Sequence, residues 1–371
     1  MKLGKFKRLK QRLLKISKRV FNNNLALSLM ITSLLIAVGV ILAYENNKVV
    51  AVNNLAVAHY IAGHNKSLGF LANWDGANYI SIALSGYRSI RLANFFPLYP
   101  LLIYLVHLVI GSPLYSALLI SWAAFVGAVY YYIKITSRLF KLTDTDNKLR
   151  AVLPFILFPS AIWFMAAYTE SLFAFLALGA IYYGFTHRYL LSGVMLAFLS
   201  LTNVNGLLVI ALVAMIILEE GMGIWRSLIT TAVGMSGILA YSIYLNVRFS
   251  KPLAFITAQQ KHGWLVHSAG SLIGDLSFLH VIFIAALLTG VIYWWRKRKS
   301  FSIYCFFYIL IPVIGGQFGG FERYCLMAFP LPLMVYSVLK KHNSLFTLTV
   351  ALSAILWTYF LFQFSGGYIG G

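Results

Sequence analysis

Apolar runs of about bilayer length, separated by short polar or basic interruptions, set the pattern of this 371-residue chain. Residues 25–44, "LALSLMITSLLIAVGVILAY", hold the roughly 20 apolar residues that cross a hydrocarbon core. No small-residue cleavage site follows, so the run reads as a retained helix and not a signal peptide. Similar runs predict spans over 151–167, 171–186, 189–202, 207–219, 227–247, 273–294, 301–315, 325–339 and 345–363, besides 25–43. The region 95–133 holds two further apolar stretches, although the charges on either side call for an odd number of crossings. The first stretch, "FFPLYPLLIYLVHLVIG", is therefore expected to be re-entrant or steeply tilted, with Pro97 and Pro100 breaking its hydrogen-bond ladder. The pattern predicts an all-α polytopic membrane protein, a bundle of about 11 transmembrane helices. The loop 45–94 is the longest between spans and too apolar for disorder. Its run "YISIALSGY" puts Ile80, Ile82, Ala83 and Tyr87 on roughly one face, as in a helix lying in the interface plane. No repeat or linker divides the chain, so 25–371 is expected to be one transmembrane domain behind a short N-terminal segment, 1–24.

Composition agrees. Sixty per cent of residues are hydrophobic and 11% charged, where a soluble chain carries about a quarter charged. The net charge of +21 invites a nucleic-acid reading. The cations, however, fall in short clusters between apolar runs: residues 2–19, Lys134 to Arg150, His187–Arg188, Arg226, "RKRK" at 296–299 and "KK" at 340–341. That distribution is the positive-inside bias of a membrane protein, and no nucleic-acid partner is expected. The clusters mark a cytoplasmic side, with 1–24 a basic amphipathic helix on the anionic leaflet. A multi-pass protein of the cell membrane with a cytoplasmic N-terminus and an external 45–94 loop is the expectation. Cys305 and Cys325 sit in or beside apolar runs, and the eight histidines lack metal-ligand spacing. No metal or cofactor is expected.

Nine Asp and Glu stand against thirty Lys and Arg, so the position of each acid is informative. Five polar interruptions fall on the predicted external side: "NWDG" with Asp75, "YTES" with Glu170, "LTNVNG" with Asn203 and Asn205, "KPLAFITAQQKHGW" with Lys261 and His262, and "GGFERYCLMAFP" with Glu322 and Arg323. An acid at membrane depth costs roughly 2.5–3.5 kcal/mol on insertion scales, so such residues tend to face cavities and carry function. Each has a plainer alternative. Asp75 would serve as a helix N-cap, Glu170 as a solvated turn residue, Glu322 and Arg323 as an interfacial ion pair, the Asn pair as interhelical contacts, and Lys261 and His262 as loop residues. "DTD" at 144–146 imitates a metal-holding motif, but it lies among cytoplasmic cations with no Gly-rich phosphate cradle and reads as a linker.

Taken in order, Trp74-Asp75, Gly86-Tyr87, "FFPLYP", Pro159, "YTES", Asn205-Gly206 and Arg323-Tyr324 resemble the PIG-V-type mannosyltransferases, multi-span glycosyltransferases of the GT-C class. The likeness runs over about residues 70–335. This chain departs from the family pattern at Gly76, Asn78 and Thr202-Asn203, which bears on the acceptor. The resemblance implies transfer of a hexose, usually mannose, from a polyprenyl-phosphate carrier on the external face, with inversion and without a nucleotide sugar. The acceptor is left open between a lipid, a glycan and a protein; membrane lipids are the surroundings. A sugar phosphate leaves as an anion, so a cation suffices to steady it, whereas the acceptor hydroxyl needs a base. Asp75 is the expected base, standing bare beside the apolar wall of Trp74, with Glu170 the other catalytic candidate. Arg323 is expected on the phosphate, with Lys261, His262 and Arg88 behind it. Trp74, Tyr168, Asn205 and Tyr324 complete the substrate-binding set. A transporter or flippase of lipid-linked sugars is the rival reading, which repeated halves and broken mid-membrane helices would favour.

Overall fold

In a computed structural model of the chain, the described residues are 23–46, 48, 68–261, 277–315 and 320–368. The expected basic helix over 1–24 falls almost wholly outside them. The fold is all-α, as the apolar pattern predicts, with no strand among the described residues.

Fifteen α-helices follow in order among those residues. They are α1 (Asn24–Ala43), α2 (Asp75–Ser85), α3 (Leu98–Ile110), α4 (Pro113–Phe140) and α5 (Thr145–Ile156). Next come α6 (Glu170–Phe185), α7 (Tyr189–Ser200), α8 (Gly206–Glu219), α9 (Ile224–Phe249) and α10 (Ala254–Lys261). The last are α11 (Phe278–Trp295), α12 (Lys299–Gly315), α13 (Phe321–Cys325), α14 (Pro330–Leu339) and α15 (Asn343–Ser365). Five helices, α1, α4, α9, α11 and α15, are long and apolar enough to cross a membrane, and six shorter apolar helices lie among them. At the centre stands α6, apolar all round, packed against α4, α7 and α8, which is the pattern of a helix with no solvent face. The outer helices α1, α11 and α15 turn Leu34, Ile41, Ile292 and Ile355 outward, as lipid-facing surfaces do.

Three expectations need correction. Residues 151–167 do not form one span: α5 ends at Ile156, and an irregular segment with a 3-10 turn at Ala161–Phe164 leads to α6. Pro154 and Pro159 weaken the ladder here. Non-helical backbone at membrane depth is tolerated only inside protein, and residues 160–170 are all buried. Several of their backbone groups find partners elsewhere, while Ser160 Oγ and Trp163 Nε1 are buried without a hydrogen bond. Ala167 N–H donates to the Leu71 carbonyl at 2.8 Å, and the Trp122 indole N–H donates to the Met165 carbonyl at 2.9 Å.

The prolines of "FFPLYP" start a helix instead of breaking one. Pro97 is the N-cap of α3 and Pro100 lies in its first turn, where a missing N–H costs nothing. Lastly, α2 is enclosed on more than the one apolar face expected of it. Tyr79, Ile80 and Ile82 are buried, and it packs on α3 and α4.

Short turns make α6, α7 and α8 successively antiparallel. Glu170 and the 201–206 turn therefore share one end of the bundle, while Arg188, Glu219, Glu220 and Arg226 share the other. The start of α3 belongs to the first end, because Leu98 N–H donates to the Leu201 carbonyl at 3.0 Å. Asp144 of the "DTD" stretch is the N-cap of α5 and accepts from the Asn147 backbone at 2.8 Å. Hydrogen bonds from Asn147 hold its carboxyl below the usual carboxylate range, which is a capping role.

Candidate active site

Asp75 and Glu170 each occupy the first position of a helix, α2 and α6 respectively. Four orphan backbone N–H groups and the positive end of the dipole make that position favourable for a carboxylate. The N-cap residues before them, Trp74 and Thr169, make no side-chain cap hydrogen bond. Both acids turn to Arg323 on α13. Its Nη1 donates to Asp75 Oδ2 at 2.7 Å, and its Nε lies 3.0 Å from Glu170 Oε1. The side chains of Asp75, Glu170 and Arg323 are 16%, 5% and 8% exposed. Asp75 is thus the most open member, but it is not bare as the sequence suggested. The reason is tertiary: an acid this enclosed is not stable without a compensating charge, and α13 brings one from 248 residues away.

Satisfaction is incomplete. The Arg323 Nε approach to Glu170 is too bent for a hydrogen bond, and Glu170 Oε2 is buried without a partner. Other buried polar atoms without a hydrogen bond, such as Tyr132 Oη and Trp357 Nε1, lie elsewhere; here the leftover atoms belong to a carboxylate and a guanidinium facing each other. Rings complete the cluster: the guanidinium carbon lies 5.4 Å from the ring centroids of both Tyr168 and Tyr324, a cation–π arrangement. A small recess opens here, lined by Thr169, Glu170, Asn203, Asn205, Arg323 and Tyr324 among others, with room for roughly one water molecule. Asn203 Oδ1 accepts from the Asn205 backbone N–H at 2.9 Å, so it shapes the turn that carries Asn205 to the recess.

The supporting structure explains the motif strings. Trp74 has φ +49° and ψ −109°, a costly conformation for a non-glycine residue of the kind stored at functional sites. Its ring packs on Phe364 of α15 at 5.4 Å, and Phe364 also meets Tyr168 at 5.9 Å. Tyr168 hydroxyl donates to the Asn73 carbonyl at 3.0 Å. From "FFPLYP", the Tyr99 hydroxyl lies 2.7 Å from Ser121 Oγ, and Ser121 donates to the Tyr168 carbonyl at 3.2 Å. Gly76 permits close approach: a Cβ there would lie 3.1 Å from the Ala167 carbonyl oxygen, directly beneath the two helix starts. Gly206 does the same for α8, where a Cβ would come within 3.1 Å of the Leu199 carbonyl.

Of the residues singled out from sequence, the structure gathers Asp75, Glu170, Arg323, Tyr168, Tyr324 and Asn205, with Trp74 beside Asp75. Arg88 is exposed three residues beyond the end of α2, an end that itself lies about 15 Å along the helix axis from Asp75, and does not join them. Lys261 is the last residue of α10, and His262 lies outside the described residues. Glu322 does not pair with Arg323. It reaches His280 of α11 instead, with Oε1 3.0 Å from His280 Nε2. His280 and Phe364 escaped sequence reasoning, since nothing in an apolar run marks which member will back a distant turn. For His280 a local signal existed: Ser277 and His280 have capping-box spacing.

Among the described residues, then, five helices are long and apolar enough to cross a membrane, and two carboxylates and an arginine gather at one end of the bundle. The comparisons with known proteins name the family: residues 23–306 match Mannosyltransferase (PIG-V), and the chain belongs to it. GPI mannosyltransferase 2 of Drosophila pseudoobscura pseudoobscura is 36% identical over 120 residues, covering 30% of this chain and 26% of that protein. The match thus spans about a quarter of that relative's length. Among solved structures, the Archaeoglobus fulgidus oligosaccharyltransferase, in complex with Zn and sulfate, aligns with a TM-score of 0.46 and 12% identity, over 91% of this chain and 53% of that one. Arg323 lies beyond the family-matched residues, while Asp75 and Glu170 lie within them.

Proposed function

We propose that this enzyme transfers mannose from a polyprenyl-phosphate carrier to an acceptor hydroxyl on the external face of the cell membrane, with inversion, in a GT-C-like manner. One observation carries the reading: in a chain of the mannosyltransferase family, two carboxylates and one arginine meet at adjoining helix starts beside a recess. Asp75 is the base. Arg323 holds its Oδ2, fixing the carboxylate's orientation, and Asp75 is more open than Glu170. The acceptor oxygen attacks the anomeric carbon as its proton passes to Asp75. The bond from that carbon to the phosphate oxygen breaks on the opposite side, and polyprenyl phosphate leaves with the electron pair. A single displacement needs one such base and no protein nucleophile. Nη1 of Arg323 donates to Asp75, and Nη2 is the donor assigned to that phosphate. Glu170, the more buried acid, balances the guanidinium and sets its angle.

Purified protein in liposomes, given radiolabelled polyprenyl-phosphate mannose and candidate acceptors, tests this. Release of polyprenyl phosphate in step with a product of inverted linkage is expected. Movement of intact labelled lipid across the bilayer without release would replace the enzyme reading with a flippase. The side of the membrane is tested by impermeant thiol labelling of intact cells, with native cysteines removed and probes at the exposed Arg88 and Lys341 positions. Labelling of Arg88→Cys alone is expected; labelling of Lys341→Cys alone would invert the topology.

A further inference from the structure

Helix α13 is only five residues long, Phe321 to Cys325. A single turn does not hold itself in water or lipid, so its rotation must be set by tertiary contacts. Successive residues on a helix point about 100° apart. Arg323 therefore faces Asp75 and Glu170 only while its neighbour Glu322 faces elsewhere. Glu322 meets His280 at 3.0 Å, and the His280 ring also lies edge-on to Phe321 at 6.0 Å.

The protonation of His280 follows from its other nitrogen. Nδ1 accepts from the Ser277 backbone N–H at 3.1 Å, while His280 N–H donates to Ser277 Oγ at 3.2 Å, closing a capping box at the start of α11. A backbone N–H only donates, so Nδ1 carries its lone pair and the ring proton sits on Nε2. The helix cap thus fixes the tautomer that turns a ring N–H toward Glu322, whose carboxylate oxygen lies 3.0 Å from Nε2.

We propose that Ser277, His280 and Glu322 form a strut that orients Arg323. Glu322 and His280 are then positioning residues of the transfer reaction. The strut fixes α13 in rotation and keeps the Glu322 carboxylate from competing with Asp75 and Glu170 for the guanidinium. Its kinetic consequence rests on the functional reading above; its structural consequence does not.

The test uses the full-length protein in lipid nanodiscs and two readouts. Modification of Arg323 by phenylglyoxal, followed by peptide mass spectrometry, reports whether the guanidinium remains clasped. Arg298, a second ion-paired arginine at the other end of the bundle, is the control for global opening. Glu322→Ala and His280→Ala should each raise the rate at Arg323 several-fold and leave Arg298 unchanged. Glu322→Gln keeps an oxygen that accepts the Nε2 hydrogen and should restore protection. With polyprenyl-phosphate mannose as donor, Glu322→Ala should lower kcat between about 10- and 100-fold, the scale of a misplaced catalytic group. Donor KM should hold, and Glu322→Gln should recover most of the rate. Arg323 as protected in Glu322→Ala as in the wild type, or as reactive in Glu322→Gln as in Glu322→Ala, would overturn the strut. A wild type that fails to turn over this donor yet shows the expected modification pattern would remove the donor reading and leave the strut standing.

Discussion

Each end of the bundle holds one arginine against two acids, and the two clusters are built differently. Away from the recess, Arg298 Nη2 meets Glu220 at 2.9 Å and Nη1 approaches Glu219 at 3.6 Å. Both oxygens of Glu219 are satisfied by Ser300, from its backbone N–H at 2.6 Å and its hydroxyl at 2.7 Å. The guanidinium also stacks over Phe185. The acids are sequence neighbours at the end of α8, and the group clamps α8 to the start of α12. At the recess, the acids come from two separate helix starts, and Glu170 Oε2 lacks a partner. A clamp that serves only stability satisfies its carboxylates; the cluster beside the recess leaves one carboxylate oxygen unspent. Arg298 Nη1 is the one loose atom of the clamp, and it is a donor, not a potential base.

Exchanging the arginines breaks this comparison most sharply. Arg323→Ala leaves two enclosed carboxylates facing each other, a loss on the order of 3–5 kcal/mol when a buried pair is broken, and transfer should vanish. Arg298→Ala should lower thermal stability but leave the turnover of folded protein near wild type. Equal loss of turnover per folded molecule in both variants would erase the distinction. Next in size, Asp75→Asn keeps shape but takes no proton, and should cut turnover roughly 10²-fold or more with donor binding little changed. Were Asp75→Asn nearly as fast as wild type and Glu170→Gln inactive, the base would be Glu170 and Asp75 only its neighbour.

Smaller effects sharpen the contrast. Ser300→Ala removes one hydrogen bond to a charged acceptor at the clamp, which costs about 1.5–3 kcal/mol. It should appear as a lower melting temperature with unchanged transfer. The smallest expected effect is that of chelation. Arg323 already occupies the space between Asp75 and Glu170, where a cation would have to sit. Exhaustive EDTA treatment should leave the initial rate unchanged, and recovery on added Mn²⁺ after a loss would show a metal displacing the arginine.

Much of the candidate cluster's membership was legible in the sequence. Scarcity made Asp75 and Glu170 conspicuous, and the alternation of basic clusters with polar interruptions put both at the same end as Asn205 and Arg323. What misled was the assumption that an acid without a nearby cation in sequence stands alone. Likewise Glu322 and Arg323 looked like a pair because they are adjacent, yet neighbours on a helix diverge, and each found a partner from a different helix.

The sequence by itself determined the helical, membrane-protein class and the approximate position of most of the apolar helices. These follow from local composition, because hydrocarbon selects each apolar run independently of the others. Tertiary structure alone decided that 157–169 stays irregular inside the protein, that "FFPLYP" begins a helix, and that one arginine serves two acids. Those outcomes depend on partners far apart in sequence (95 residues from Tyr168 to Asn73, 248 from Arg323 to Asp75). Unsatisfied buried groups take whatever partner packing delivers, and no periodicity along the chain records which one that will be.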